Sequence, residues 1–497
     1  MQSSTFRTAA ASAAILLSAT AGLAQPRPVA LSGSPAPGGG NYLGFGAPVL
    51  NGTGQVAFRA NLTGGTSTEG IFAGTPGAIA AVARRGTPAP EGGNYDGFGT
   101  PVLNGAGQLA FDADLTGGTS TEGIFAGTPD AIAAVARSGN PAPGGGSYFY
   151  DVQVARFVFN DSGQVAFSFG LTDETTLTSG LFVGTPGAVA AVARVGTPAP
   201  GGGNYRSLSN LVLNRAGQMA FFATLTDSTS FQGLFAGTPG AVTALARLGN
   251  PAPGGGTYDT FNFGGPRLNG AGQMAFSANL VDSTSSQGLF VGTPGAVTAV
   301  ARVGTPAPGG GNFNGFDEPL LNGAGQVAFE GFLTGSTSTR GIFAGTPGAL
   351  AAVARNGDPA PGGGNYSDFP FLLLNGAGQV AFRSRLTGLG VTAANDAALF
   401  AGLPGAVMQI VREGDLIDVD PGLGVSLRMV DDSGISSLTD SGGQDGRQMS
   451  FNDNGLLVYT LRFTDGSSGV FTSVVPEPTA LSLLAVAGAG LLRRRRA

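Results

Sequence analysis

One eight-residue unit, Asn-x-x-Gly-Gln-x-Ala-Phe, recurs along most of this 497-residue chain. It begins at Asn51, Asn104, Asn160, Asn214, Asn269, Asn322 and Asn375, at spacings of 53, 56, 54, 55, 53 and 53 residues. A degenerate eighth copy, NDNGLLVY, begins at Asn452 after a gap of 77. A period of this size means a stack or ring of supersecondary units, each too small to bury a core by itself.

Each unit reads as four strands. In the first copy they are 48–51, 55–62, 69–74 and 78–84, and the loop GTPAPEGGNY follows. The Asn-x-x-Gly turn permits the positive φ that reverses the chain. Thr75-Pro76 ahead of an Ala-rich run could start a helix. Its counterparts Val407–Val411, which is β-branched, and Val29–Gly33, which is too short for a helix, favour strand.

The two ends complement each other. Residues 28–42 match the end of a unit whose beginning is absent, and the last unit stops before its fourth strand. Together they make one unit, which brings every segment type to eight. Four-stranded repeats of this length, split between the termini, predict an all-β fold: a single β-propeller of about eight four-stranded blades, closed by the N-terminal strand completing the last blade. The predicted ring covers 25–473, with an insertion at about 413–447 in the last unit.

Composition agrees. Gly and Pro make 118 residues, enough to raise disorder, but 33 Phe and 42% hydrophobic residues supply a core. The chain has no Cys, His, Trp or Lys. Disulfides, thiolate chemistry and the usual zinc or copper sites are thereby set aside, and so is the commonest general base. With Arg7, Glu477 and the four terminal arginines left out, 20 Arg face 30 acids, a net of about −10. Nucleic acid and anionic membrane are poor bulk partners for such a surface.

Both ends also read as addresses. Residues 1–24, with Arg7, an apolar run at 9–19 and small Gly22 and Ala24, read as a secretory signal peptide. At 474–497, Pro476-Glu477-Pro478 precedes an apolar stretch, 480–492, and then Arg493, Arg494, Arg495 and Arg496. Thirteen apolar residues are short for a stable span, and the Arg block belongs on the cytoplasmic side. This tail resembles the PEP-CTERM sorting signal of Gram-negative bacteria. The resemblance implies passage through the export machinery, transient membrane insertion by the C-terminal segment and processing by an exosortase-type enzyme. Delivery to the cell surface or extracellular matrix would follow. Residues 28–473 resemble a bacterial family named for its NxxGxVAF tandem repeats, a label that implies no activity. The eighth copy departs from it at Leu456 and Tyr459.

The recurring columns divide between packing and binding. The Phe column, from Phe58 to Phe382, is expected in the core. The column Arg84, Arg137, Arg194, Arg247, Arg302, Arg355 and Arg412 either donates to backbone carbonyls or forms a ring for an anionic ligand. Tyr42, Tyr95, Tyr148, Tyr205, Tyr258 and Tyr366 follow the Gly-rich loops, with Phe313 in the sixth unit. They either pin those loops or offer rings to stack on sugars. Asp415, Asp418 and Asp420, in an acid-rich insertion, are candidate calcium ligands, although their spacing fits no EF-hand. No other cofactor is indicated.

No catalytic set can be assembled. Asp112/Asp114 and Asp173/Glu174 are the compact acid pairs of the regular units. The expectation is a non-catalytic binding or structural module, possible polysaccharide association included. The alternative is a propeller-type extracellular carbohydrate-active enzyme, which needs two unit-specific carboxylates converging in the central channel.

Overall fold

In the computed structural model the described residues are 25–476, except 150–156, 173–176, 227, 262–263, 421, 423, 435–445 and 448. They form strands and turns only, in eight antiparallel sheets arranged as an eight-bladed β-propeller. The first strands are β1 (Arg27–Leu31), β2 (Asn41–Phe45), β3 (Val49–Leu50), β4 (Val56–Thr63), β5 (Glu69–Thr75) and β6 (Ala78–Arg84). Blade 1 has the order β2-β4-β5-β6, with β3 also paired to β4. Its inner strand is therefore β2 and β3 in succession along one edge of β4. In blade 4 the same two pieces run unbroken as Asn204–Leu213, with bulges.

The sequence reading ended the Gly-rich loop with Asn41 and Tyr42, but these two residues open the inner strand Asn41–Phe45. The Gly-rich segment before them is a tight hairpin, with Pro35 bridged to Asn41 and the Tyr42 N–H donating to the Ser34 carbonyl.

The core lies between blades. One apolar cluster joins Ala57, Ile71, Ala73 and Ala83 of blade 1 to Tyr95, Phe98, Phe111 and Phe125 of blade 2. Strand alternation explains this: Val56 and Phe58 share one face of β4 and Ala57 the other, so each blade packs a large-residue face on a small-residue face. Burial of each Phe contributes about 1.5–3 kcal/mol.

Blade 8 is composite. β1 pairs antiparallel with Ser468–Val474, which pairs with Leu456–Phe463, which in turn pairs with Leu427–Gly434. The N-terminal strand thus completes the last blade. The insertion contributes the inner strand of that blade, together with the short strand Leu416–Asp418 beside it. On its return it enters the channel. The Gly446 carbonyl accepts from the Phe159 N–H of blade 3, and the Met449 carbonyl accepts from the Leu50 N–H of blade 1.

Candidate functional site

The Asn-x-x-Gly turns meet at the axis. Each Asn side chain donates to the main-chain carbonyl of the next Asn: 51 to 104, 104 to 160, 160 to 214 and 214 to 269. The series goes on from 269 to 322, 322 to 375, 375 to 452 and 452 back to 51. The eight bonds, 2.9–3.2 Å, close a circle of buried amides. In the seven regular blades the other valences are also filled. Asn322 donates its second side-chain N–H to the Gln326 side-chain oxygen (Oε1) at 2.8 Å, and its own side-chain oxygen accepts from the Ala324 and Gln326 N–H groups. Gly325 sits at φ 78°, and a Cβ there would press on Gln273 of the preceding turn. The motif is therefore a blade-to-blade fastening, with each of its three polar or Gly positions required by geometry.

Above this circle lies a cavity of about 590 Å³. Ser162, Arg215, Ala216, Gly270, Ala271, Gly323, Ala324, Gly376 and Asp453 line it, all from the turn tips of blades 3–8. Their first positions differ from blade to blade: Gly52, Gly105, Asp161, Arg215, Gly270, Gly323, Gly376 and Asp453. Arg215 is the one cation in this series, and it is exposed. The Asp161 carboxylate accepts from the Gly105 N–H at 2.7 Å, and Asp453 does the same for Gly376 at 2.6 Å. Sequence reasoning passed over these residues because within the repeated turn it weighed only the positions that recur. The available signal was the variation beside an invariant Asn.

The tyrosine column is core. Tyr42, Tyr95, Tyr148, Tyr205, Tyr258 and Tyr366 are each 3–4% exposed. In blade 1, Tyr42 lies 5.1 Å from Phe72, edge on, and 5.9 Å from Phe58, and the same trio recurs in every regular blade. Tyr148 and Tyr258 border small grooves of about 290 and 360 Å³, but their ring faces are covered. The sugar-stacking expectation is corrected accordingly: strand alternation turns these rings inward from the inner strand. The hydroxyls of Tyr42, Tyr148, Tyr205 and Tyr258 are buried without a partner, so the column needs the ring and not the phenol.

The arginine column binds backbone. Arg84 donates to the carbonyls of Pro37 and Gly39, Arg137 to Pro90 and Gly92, and Arg302 to Pro253 and Gly255. Each guanidinium holds the Gly-rich hairpin that leads into its own blade. A Cβ on Gly38 would collide with Arg84.

The three insertion acids serve separate turns. Asp415 accepts from the Arg412 N–H, Asp418 from Asp420 and Ser426, and Asp420 from Gly422. Among the described residues no three acids gather in a way that could hold a metal ion, so the calcium expectation finds no ligand set there. Asp112 and Asp114 do meet a third acid, Glu122, which pairs across from Asp114. Burial first, and then Asp114 and Asp112, push the Glu122 carboxyl up to about 8. These acids lie on two adjacent strands of blade 2, Leu109–Thr116 and Glu122–Thr128. Asp173 and Glu174 lie outside the described residues, as do 1–24 and the sorting residues Glu477, Pro478, Arg493, Arg494, Arg495 and Arg496. Pro476 is the last described residue, and its carbonyl accepts from Gln379 at 3.4 Å. Among the described residues no helix is long and apolar enough to cross a membrane.

A family profile matches residues 5–176 and 122–482, and so covers the whole ring. The chain belongs to DUF7453, a family of unknown function. The two matches overlap within the repeats. No curated protein matches the chain. Among solved structures, the β-propeller domain of the Trilobed protease from Pyrococcus furiosus aligns over 76% of this chain and 100% of its own, at 10% identity and a TM-score of 0.41. A puromycin-hydrolyzing peptidase of Mycobacterium tuberculosis aligns over 84% of this chain at 12% identity and a TM-score of 0.39. This chain spans 58% of that peptidase. An oligogalacturonate lyase in complex with manganese aligns over 92% of this chain and 100% of its own, at 10% identity and a TM-score of 0.38. At these identities the likeness concerns the fold alone.

Proposed function

We propose that this DUF7453 protein is an exported module, sorted to the cell surface or extracellular matrix, that binds or scaffolds without catalysing a reaction. The observation that carries the reading is the engagement of every repeated polar column inside the ring. The asparagines fasten blade to blade and the arginines hold hairpins. The channel, where a propeller enzyme would place its acid pair, is entered by the chain's own Gly446 and Met449. The chemistry left over at the axial mouth is a guanidinium and turn-tip backbone, a set suited to holding a group and poor at moving protons. The motif Pro476-Glu477-Pro478 with its Arg-rich end supplies the address, with export machinery and an exosortase-type enzyme as partners and extracellular polysaccharide as the surrounding medium.

The test is cell fractionation of a Gram-negative host that makes both this chain and an exosortase. The full chain is expected in the surface or matrix fraction, with its tail processed. Glu477→Ala is expected to stay unprocessed in the inner membrane. Recovery of the unaltered chain from the cytoplasm would overturn the reading.

A further inference from the structure

The turn tips of this ring carry a repeated slot for an anionic oxygen, and two of the slots are already filled from within. In a turn of this kind the second, third and fourth residues after Asn all direct their N–H groups back to that Asn. Ala271 and Gln273 donate to the Asn269 side-chain oxygen, and Gly272 donates to its carbonyl. One N–H is left, that of the first residue, and it points toward the tip of the next turn. Where that next tip is Asp, its carboxylate takes the bond: Asp161 on Gly105 at 2.7 Å, and Asp453 on Gly376 at 2.6 Å. Where the next tip is Gly there is no side chain to accept. The N–H groups of Arg215, Gly270 and Gly323 face Gly270, Gly323 and Gly376 in turn, and none of the three has an acceptor among the described residues. They are consecutive around the axis, and they border the 590 Å³ cavity that Arg215 also lines.

We propose that the axial mouth between blades 4 and 7 is an anion-binding site that takes a carboxylate or a phosphate group on the backbone N–H groups of Arg215, Gly270 and Gly323, with the Arg215 guanidinium as counter-charge. The proposal rests on the binding-module reading and deepens it by naming the ligand chemistry. Backbone N–H groups held by a rigid turn make good anion donors because their orientation is fixed before the ligand arrives. A guanidinium adds a charge-assisted bond to the same oxygens. The bound carboxylates of Asp161 and Asp453 show what such a slot accepts. The acidic balance of the chain opposes long-range attraction, so the contacts must be local and the affinity moderate. Two sources share this chemistry, an acidic polysaccharide and free phosphate.

The test is calorimetric titration of the full chain with a glucuronic acid tetramer, the glucose tetramer of the same linkage, and inorganic phosphate. The acidic tetramer is expected to bind and the neutral one not. Arg215→Ala should weaken binding at least tenfold. Gly323→Asp should do the same by a different route, by laying a carboxylate on the Gly270 N–H as Asp453 does on Gly376. Gly323 does not have positive φ, and Asp stands at the same place in turns 3 and 8, so this variant should melt no lower than the parent. Phosphate binding that is lost in both variants, with no tetramer binding, would keep the site and assign it to the free ion. Failure of both anions to bind, or binding that Gly323→Asp leaves unchanged, would overturn the proposal. Binding of the neutral tetramer alone would overturn it too while leaving the binding module standing, and localisation is measured independently of all three ligands.

Discussion

The seven regular blades and the composite eighth solve one packing problem with different atoms. A regular blade is a single stretch of chain. Its Asn makes two side-chain donations, its inner aromatic packs on two Phe rings, and its Arg clamps the hairpin that leads into it. Blade 8 is assembled from β1, from the insertion and from residues 456–474. Leu456 stands where Gln would be, so Asn452 donates only to the Asn51 carbonyl. Tyr459 replaces the column Phe, and its hydroxyl meets the Ser473 hydroxyl at 2.7 Å in a fully buried setting. Leu31 replaces the clamp Arg. The closing blade thus keeps the shape of the repeat and changes its polar fittings, while its closure relies on strand pairing between chain ends more than 430 residues apart.

This contrast can be tested in descending order of effect. Removing residues 25–33 should do the most damage, because it deletes β1 and leaves the Ser468–Val474 edge unpaired. We expect a loss on the order of 5 kcal/mol or more from the lost ladder and the Ala30 contacts. It would appear as a strongly lowered denaturant midpoint with concentration-dependent association. Asn322→Ala should cost about 3 kcal/mol, because it strands buried N–H groups and the Asn375 carbonyl. Asn452→Ala should cost roughly 1 kcal/mol less, since its turn has no Gln partner to lose. Equal midpoints for the two variants would remove the distinction between the regular and composite turns.

The two tyrosine settings should separate in the same way. Tyr459→Phe leaves Ser473 without its buried partner and should destabilise by about 1 kcal/mol. Tyr258→Phe removes a hydroxyl that has none and should be neutral or mildly stabilising, as Phe313 already is in blade 6. Thermal melts of the two variants side by side would decide it.

An effect comparable with that of Tyr459 is expected from acidity, and it distinguishes blade 2 from its neighbours. Glu122 is 6% exposed and is raised to about 8 from an ordinary 4.5. A carboxyl raised on folding gives its full contribution below about 4.5 and loses it as pH climbs through 8. Burial is the main cause, followed by Asp114 and Asp112, while Arg59 of blade 1 offsets part of the charge at Asp112. Glu330 in blade 6 is shifted the same way by burial and by Asp317. The ring should therefore soften between pH 5 and 8. Glu122→Gln should flatten that slope, with a gain of about 1–2 kcal/mol at pH 8. An unchanged slope between the variant and the parent would show that the acid cluster does not set it.

The propeller itself was legible because it depends on local and periodic information. The Asn-x-x-Gly turns, the alternation around Phe58 and the complementary half-units at 28–42 and 456–473 all lie within short windows of sequence. Each states its own requirement, a positive φ, a buried face or a missing strand, and together they fix the blade number. The Tyr column was ambiguous for the same reason. A Gly-rich run before Tyr42 reads as loop, and only the pairing of Asn41–Phe45 with β4 turns that ring into the core.

What the sequence by itself determined, then, is the unit, its count and its closure, because strand period and turn chemistry act between near neighbours in the chain. Only the tertiary structure decided what those units do to one another. Asn51 and Asn104 are 53 residues apart, and nothing near either one says that the first will bond the carbonyl of the second. Gly446 carries no local sign that it will reach blade 3 across the channel. The axial slot arises the same way. One turn supplies the N–H and the next supplies, or lacks, the acceptor, so the site exists only once the ring has set the turns side by side.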